Sequence, residues 1–326
     1  MNKKFICIIA LALAAIATIS CVPISDNLNE GASAATSHSH EGASAATSHS
    51  HEEASLTTSD GISWKSTDLG GGIFMLEGEG GNPGANLALL KGDEGVVLID
   101  DGLDEVVQMT IATVEGIAGA PVSYVINTHA HGDHTGGNAG YGETGALIIA
   151  HDVARESLKA DENVPEIGLP KLTFDESITL HLNGQTTNIF YVPNAHTDSD
   201  AVVHFTDANV IHAGDLLFNK IFPFIDLDNG GDIEGFIAAQ QQILDIADES
   251  TQIIPGHGPL ATKADLQAAL DVLIDANTLV TALADQGMTL EQVLAENPLS
   301  VYEDWGWFHI STERMTNILY RSATTQ

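Results

Sequence analysis

The chain has 326 residues and 44% hydrophobic content, enough for one large domain or two small ones around a buried core. Forty-five acidic against 11 basic residues leave a formal net charge of −34, a field that argues against nucleic acid and anionic membrane surfaces as partners. The cysteines are Cys7 and Cys21 alone, so no disulfide framework is available and a folded domain must rest on core packing and metal.

In chain order, residues 1–20 (MNKKFICIIALALAAIATIS) set Lys3 and Lys4 before an apolar run from Phe5 to Ile19 that is too short to span a bilayer. That is the pattern of an export signal. Cys21, after Thr18-Ile19-Ser20, fits a lipoprotein box loosely, so a periplasmic protein and an outer-membrane lipoprotein anchored at Cys21 are both open. Residues 21–57 are expected to be a disordered tether: EGASAATSHSH at 30–40 recurs at 41–51 and carries no large apolar residue. Its His38, His40, His49 and His51 suit either loose capture of transition metals or a spacer grown by duplication.

From residue 58 to 326 the composition predicts a single catalytic domain. Short apolar runs at Ile73–Leu76, Ala88–Leu90, Val96–Ile99, Val122–Ile126, Ala146–Ile149, Thr187–Val192, Ala201–Phe205, Val210–His212 and Gln252–Ile254 read as strands. Helical spacing appears at Val106 to Ile117, after an Asp232 cap, and from Lys263 to Asp285. Strands alternate with helices without a repeating βαβ period, as in a layered α/β (α+β) protein with helices outside its sheets.

The chemistry-bearing residues follow those strands. THAHGDHTGG places His129, His131, Asp133 and His134 after Val122–Ile126; His196 follows IFYV; Asp215 follows Val210-Ile211; and His257 follows Ile253-Ile254. Rigid strands delivering short loops to one edge can hold a site to the tolerance a metal needs. His129 and His131, two apart in an extended segment, point to one side and can share an ion with His196, leaving a fourth position for water. Asp133, His134 and His257 can hold a second ion, with Asp215 bridging the two. Imidazole and carboxylate without thiolate favour two zinc ions, with iron or manganese as alternatives.

HAHGDH followed by His196, Asp215 and His257 in that order resembles the metallo-β-lactamase superfamily over about residues 60–260. Asp100 in VVLIDDG matches the family's strand-end aspartate. The resemblance implies a four-layer αββα sandwich with the metals at one edge between the sheets. It also implies hydrolysis of ester, thioester, lactone or amide bonds in a small-molecule substrate by a metal-activated hydroxide, with Asp133 orienting the water. Zinc β-lactamases carry Cys or Ser where Asp215 stands, so Asp215 and GDLLF are closer to glyoxalase II-like and broad-specificity hydrolases; Phe218 stands where quorum-signal lactonases have tyrosine. Glyoxalase II binds an anionic thioester through C-terminal basic residues, of which this stretch offers little beyond Arg314 and Arg321. A dedicated β-lactamase and a zinc-delivery lipoprotein are the competing readings.

The walls of a pocket are harder to read. Phe222, Pro223 and Phe224 form either an apolar lip or core filling, and GEGGNPGAN (78–86) either an entrance loop or an ordinary hairpin. Trp305, Trp307 and Phe308 are expected to pack the last helix onto the domain. His151, His181, His204 and His309 lack ligand context, and His212 is either a support for a ligand or a satisfied strand histidine.

Overall fold

The computed structural model describes residues 57–58 and 60–325; the expected export signal and, apart from Thr57, the expected tether lie outside them. Two sheets form the centre. The first runs in sequence order, β1 (Ser63–Gly70), β2 (Ile73–Glu79), β3 (Leu87–Leu90), β4 (Val96–Ile99), β5 (Val122–Ile126), β6 (Leu147–His151) and β7 (Leu172–Phe174). The second contains β8 (Ser177–Leu182), β9 (Gln185–Tyr191), β10 (Ala201–Phe205), β11 (Val210–Phe218), β12 (Gln252–His257) and β13 (Ala261–Thr262), in the order β13-β12-β11-β10-β9-β8. Among the described residues, parallel pairing is confined to β4 through β7 and to β11 with β12.

Eight helices accompany the sheets among the described residues: α1 (Val107–Ala118), α2 (Gly132–Thr135), α3 (Asn138–Thr144), α4 (Asp152–Ala160), α5 (Ile233–Ile246), α6 (Lys263–Ala284), α7 (Leu290–Glu296) and α8 (Thr312–Thr324). Between the sheets, Ile73, Val97, Ile99 and Ile126 meet Val203, Phe205, Val210 and Ile254. On the first sheet's other face, Leu98 and Val125 pack with Val114 of α1. On the second's, Ile211 and Ile253 pack with Phe236 of α5, Leu266 of α6 and Leu319 of α8. The layers are therefore helix, sheet, sheet, helix. Strands buried on both faces read as continuous apolar runs, which is why VVLI and LALL carry no alternation.

Local chemistry sets the helix ends. The Asp232 carboxylate accepts from the Gly235 N–H at 2.9 Å and starts α5; Thr262 and Asp265 form a reciprocal capping box on α6. Among the described residues α6 is long and apolar enough to cross a membrane by length and composition. Here its Leu266, Leu270, Leu273, Ala276 and Val280 stripe is buried in the core beside α5 and α8.

One buried acid yields a pH-dependent expectation. Asp101 is fully buried; its Oδ1 accepts from the Gly137 N–H at 2.8 Å and its Oδ2 has no partner. Burial, with the Asp100 charge beside it, pushes its carboxyl well above the ordinary carboxylate range. An acid whose folded-state pKa is raised keeps its proton in the fold, so the stability it contributes is complete below the unfolded value near 4 and is lost as pH rises through the folded value. Asp101→Asn keeps the acceptor for Gly137 and removes the ionisation. It is expected to flatten the loss of stability above about pH 4 by up to ~1.4 kcal/mol per pH unit, read from urea midpoints between pH 5 and 8; a variant with the wild-type slope contradicts this.

Candidate active site

The parallel strands β4 and β5 of the first sheet and β11 and β12 of the second end at the same edge, between the two sheets. Asp100 follows β4 in the left-handed region at φ 58, uncommon for a residue with a Cβ. Three donors hold it there: Thr128 N at 2.7 Å, Thr128 Oγ1 at 2.8 Å and His134 Nδ1 at 2.7 Å. The carboxylate thus ties the end of β4 to the loop after β5, and α2 turns immediately beyond His131. A β-bulge at Gly214 (φ 52) re-aims Asp215 out of β11. His212 steadies that bulge: its Nδ1 accepts from the Gly214 N–H at 3.2 Å and its Nε2 donates to the Asn86 carbonyl at 3.1 Å. On β12, Gly256 is required by close approach, since a Cβ there would lie 1.9 Å from Asp215 Oδ1.

All seven side chains singled out from the sequence meet at this edge, in two groups whose ligand atoms lie within 4.8 Å of one another. In the first, His196 Nε2 is 3.2 Å from His129 Nε2, 2.9 Å from His131 Nδ1 and 3.4 Å from Asp215 Oδ2; His129 Nε2 and His131 Nδ1 are 3.1 Å apart. In the second, His134 Nε2 lies 3.1 Å from Asp215 Oδ1 and 3.9 Å from Asp133 Oδ2. His257 Nε2 lies 3.2 Å from Asp133 Oδ2 and 3.6 Å from Asp215 Oδ1. Asp215 belongs to both groups, one carboxylate oxygen facing each.

The outer hydrogen bonds assign the ring tautomers. Thr128 Oγ1 gives its proton to Asp100 and so accepts from His129 Nδ1 at 3.1 Å. His131 Nε2 donates to Asp226 Oδ2 at 3.0 Å, His196 Nδ1 to the Phe224 carbonyl at 2.7 Å, and His134 Nδ1 to Asp100. Each ring therefore turns its other nitrogen inward, and three of those nitrogens face one another at 2.9 to 3.2 Å. Lone pairs on nitrogens so placed repel unless a cation lies among them. His134 Nε2 and Asp215 Oδ1, both buried, face each other at 3.1 Å without making a hydrogen bond to each other or to any other group, and buried polar atoms are seldom left so. The donor set fits a pair of divalent cations.

Electrostatics divide the groups in the same way. Burial, then the neighbouring histidines His134, His196 and His131, hold His129 well below the usual imidazole range; burial brings His196 down to about 4. Both are neutral and ready to donate at physiological pH. In the second group burial is outweighed by Asp215 and the other carboxylates, which lift His134 and hold His257 at about 9. Burial would raise Asp133, but His134 and His257 outweigh it and bring its carboxyl down to about 2. That corner is an anionic well that attracts positive charge.

A cavity of about 550 Å³ opens over the two groups. Gly81 and Asn82 of the glycine-rich loop line it, as the entrance-loop reading requires, and Phe224 does so while Phe222 is buried in the core beside Trp305. Of the C-terminal aromatics, Trp305 and Trp307 pack on the core as expected, but Trp307 also lines the cavity, and so do Phe308, for which packing was expected, and His309. The loop before α8 swings back over the site, pinned by Trp307 Nε1 donating to the Phe222 carbonyl at 3.0 Å. Asp226, which orients His131, was not singled out; nothing in FIDLDNGG marks one acid above the next. His151 is a structural residue, capping α4 and stacked on Tyr191 at 3.7 Å.

The chain is 29% identical over 214 residues to a "Metallo-beta-lactamase type 2" of Bacillus cereus, covering 64% of this chain and 78% of that one. It is 29% identical over 210 residues to a "Hydroxyacylglutathione hydrolase" of a Polaromonas species, covering 60% of this chain and 74% of the other. A solved metallo-beta-lactamase from Pontibacter korlensis superimposes with a TM-score of 0.56 at 20% identity over 65% of this chain and 99% of its own, which speaks for the fold. Residues 80–262 match the Metallo-beta-lactamase superfamily, and since that match takes in more than half of the sequence, the chain belongs to this superfamily of hydrolases.

Proposed function

We propose that the protein is an exported dinuclear metallo-hydrolase that cleaves ester, thioester, lactone or amide bonds in small molecules. The observation that carries the proposal is the shared Asp215, 5% exposed, with one oxygen toward each chelating group. His129, His131 and His196 would hold one cation and Asp133, His134 and His257 the other. Zinc is the metal this thiolate-free set favours, with iron or manganese as alternatives. Bound there, the metal pair supplies Lewis acidity, which acidifies water near neutral pH and polarises a carbonyl. Asp133 lines the cavity with its side chain 30% exposed and is ionised, so it can accept a hydrogen bond from water and orient it. Asp226, Asp100, Thr128 and the Phe224 carbonyl keep the rings turned inward. Export is supported by the Lys3-Lys4 and apolar pattern of residues 1–20, and a lipid anchor by Cys21.

A dedicated β-lactamase is the second reading, favoured by the Bacillus cereus relative; Asp215 in place of a thiolate weighs against it. A metal-delivery protein has no use for an aromatic-walled cavity over its ions. The test is elemental analysis of protein purified without added metal, together with a panel of a neutral aryl ester, a thioester, a lactone and nitrocefin. Two transition-metal ions per chain with ester or thioester turnover are expected. Rapid β-lactam turnover without esterase activity would reverse the ranking, and hydrolysis by metal-free protein would overturn the proposal.

A further inference from the structure

The cavity wall carries information about the substrate that the chelating groups do not. Phe218, Phe224, Trp307 and Phe308 line it with Ile221. They come from two segments far apart in sequence, the end of β11 with its following loop and the loop before α8. Their rings lie against one histidine of each group: Phe218 is nearly parallel to His257 at 5.1 Å, and Phe224 to His131 at 6.0 Å. Phe308 stands edge-on to Trp307 at 4.9 Å and is 86% exposed. A large apolar ring left in water at the mouth of a cavity gains burial only when something covers it.

Charge points the same way. Among the described residues lining the cavity there is no lysine or arginine, and the carboxylates present are Asp133 and Asp215. Arg314 lies nearby, but its Nη1 donates to the His309 carbonyl at 2.9 Å and its guanidinium sits over the Phe224 ring at 5.2 Å. Away from the chelating groups, an anionic part of a substrate would thus lie against low-dielectric walls that offer no cationic side chain, under a net charge of −34.

We infer that the cavity is an aromatic cleft for an uncharged acyl substrate, an ester or thioester whose acyl part carries an aryl or long apolar group and no carboxylate or phosphate. Trp307 and Phe308 cover that group. This rests on the hydrolase reading above. Each turnover consumes one water: its oxygen joins the acyl carbon as the acyl C–O or C–S bond breaks, one proton goes to the departing alcohol or thiol, and the other leaves the new carboxylic acid.

The experiment uses zinc-loaded protein and three p-nitrophenyl esters with one leaving group: acetate, 4-phenylbutyrate and the glutarate monoester. The phenylbutyrate is expected to exceed the glutarate in kcat/KM by roughly 100-fold at low ionic strength, with the gap narrowing as salt screens the field. Phe308→Ala should lower the phenylbutyrate-to-acetate ratio of kcat/KM by about tenfold, through KM, and Phe308→Trp should restore it. Equal rates for phenylbutyrate and glutarate, or an unchanged ratio in Phe308→Ala, would overturn the inference while leaving the hydrolase reading intact. No hydrolysis of these esters, nor of a thioester, a lactone or nitrocefin, by metal-loaded protein would overturn both.

Discussion

Chelation of the purified protein is expected to abolish ester hydrolysis and to lower the melting temperature by about 8–16 °C for each site emptied, with both restored when divalent metal is returned. The magnitude follows from linkage. A metal present at about a thousand times its dissociation constant stabilises the folded chain by about 4 kcal/mol per site, and in a domain of this size one kcal/mol moves the midpoint by about 2–4 °C. The sign follows from the geometry. Removing the cations leaves inward imidazole nitrogens at 2.9 to 3.2 Å and a buried Asp215 facing them, contacts that are favourable only around positive charge. Differential scanning calorimetry with and without chelator reads the shift directly. An unchanged midpoint together with retained activity would show the cluster to be a hydrogen-bonded polar core rather than a metal centre.

Much of that centre was visible in the sequence because its residues obey a local rule. Each chelating side chain sits within or a few positions past an apolar run, and those runs are strands: VSYVI before His129, the end of β9 before His196, VIHAGDLLF around Asp215 and QIIPGH ending at His257. Helices α1, α5 and α6 were legible from their spacing, and α5 also from its Asp232 cap. The rest depended on contacts that no local pattern encodes. β1, SWKSTDLG, is an edge strand in which polar residues dominate, so it lacks a hydrophobic signature. β8 and β9 form a hairpin around Asn183-Gly184, both at positive φ. The alternating Ile178, Leu180 and Leu182 before that turn are the signal that would have found β8. Phe222 and Phe224 are two apart, yet one enters the core and the other faces the cavity; outside regular structure, spacing does not decide which way a side chain turns. Asp226 and the Trp307–His309 loop reach the site through tertiary folding alone.

Asp215→Asn is expected to remove activity more completely than any substitution outside the two chelating groups. The amide keeps the size of the carboxylate, so packing against Gly256 is preserved, but it offers one neutral acceptor and turns an NH2 donor toward a histidine nitrogen. Asp215 is the charge common to both groups, at 3.1 Å from His134 Nε2 and 3.4 Å from His196 Nε2. Removing one partner of a buried ionic contact costs about 3–5 kcal/mol, which corresponds to roughly 10²–10⁴-fold weaker retention of metal. Asp226→Asn provides the comparison: it changes the acceptor for His131 Nε2 without touching a chelating atom, and outer partners of this kind cost about 10–100-fold. Competition with a chromogenic chelator gives both affinities, near-ultraviolet circular dichroism checks the fold, and kcat/KM for a neutral aryl ester gives the functional loss. If Asp215→Asn keeps both ions and more than about a tenth of the activity, a smaller loss than even outer partners cause, the carboxylate is a structural acceptor for His134 and His257. The two groups would then be independent sites, and the activity would have to arise from one of them alone.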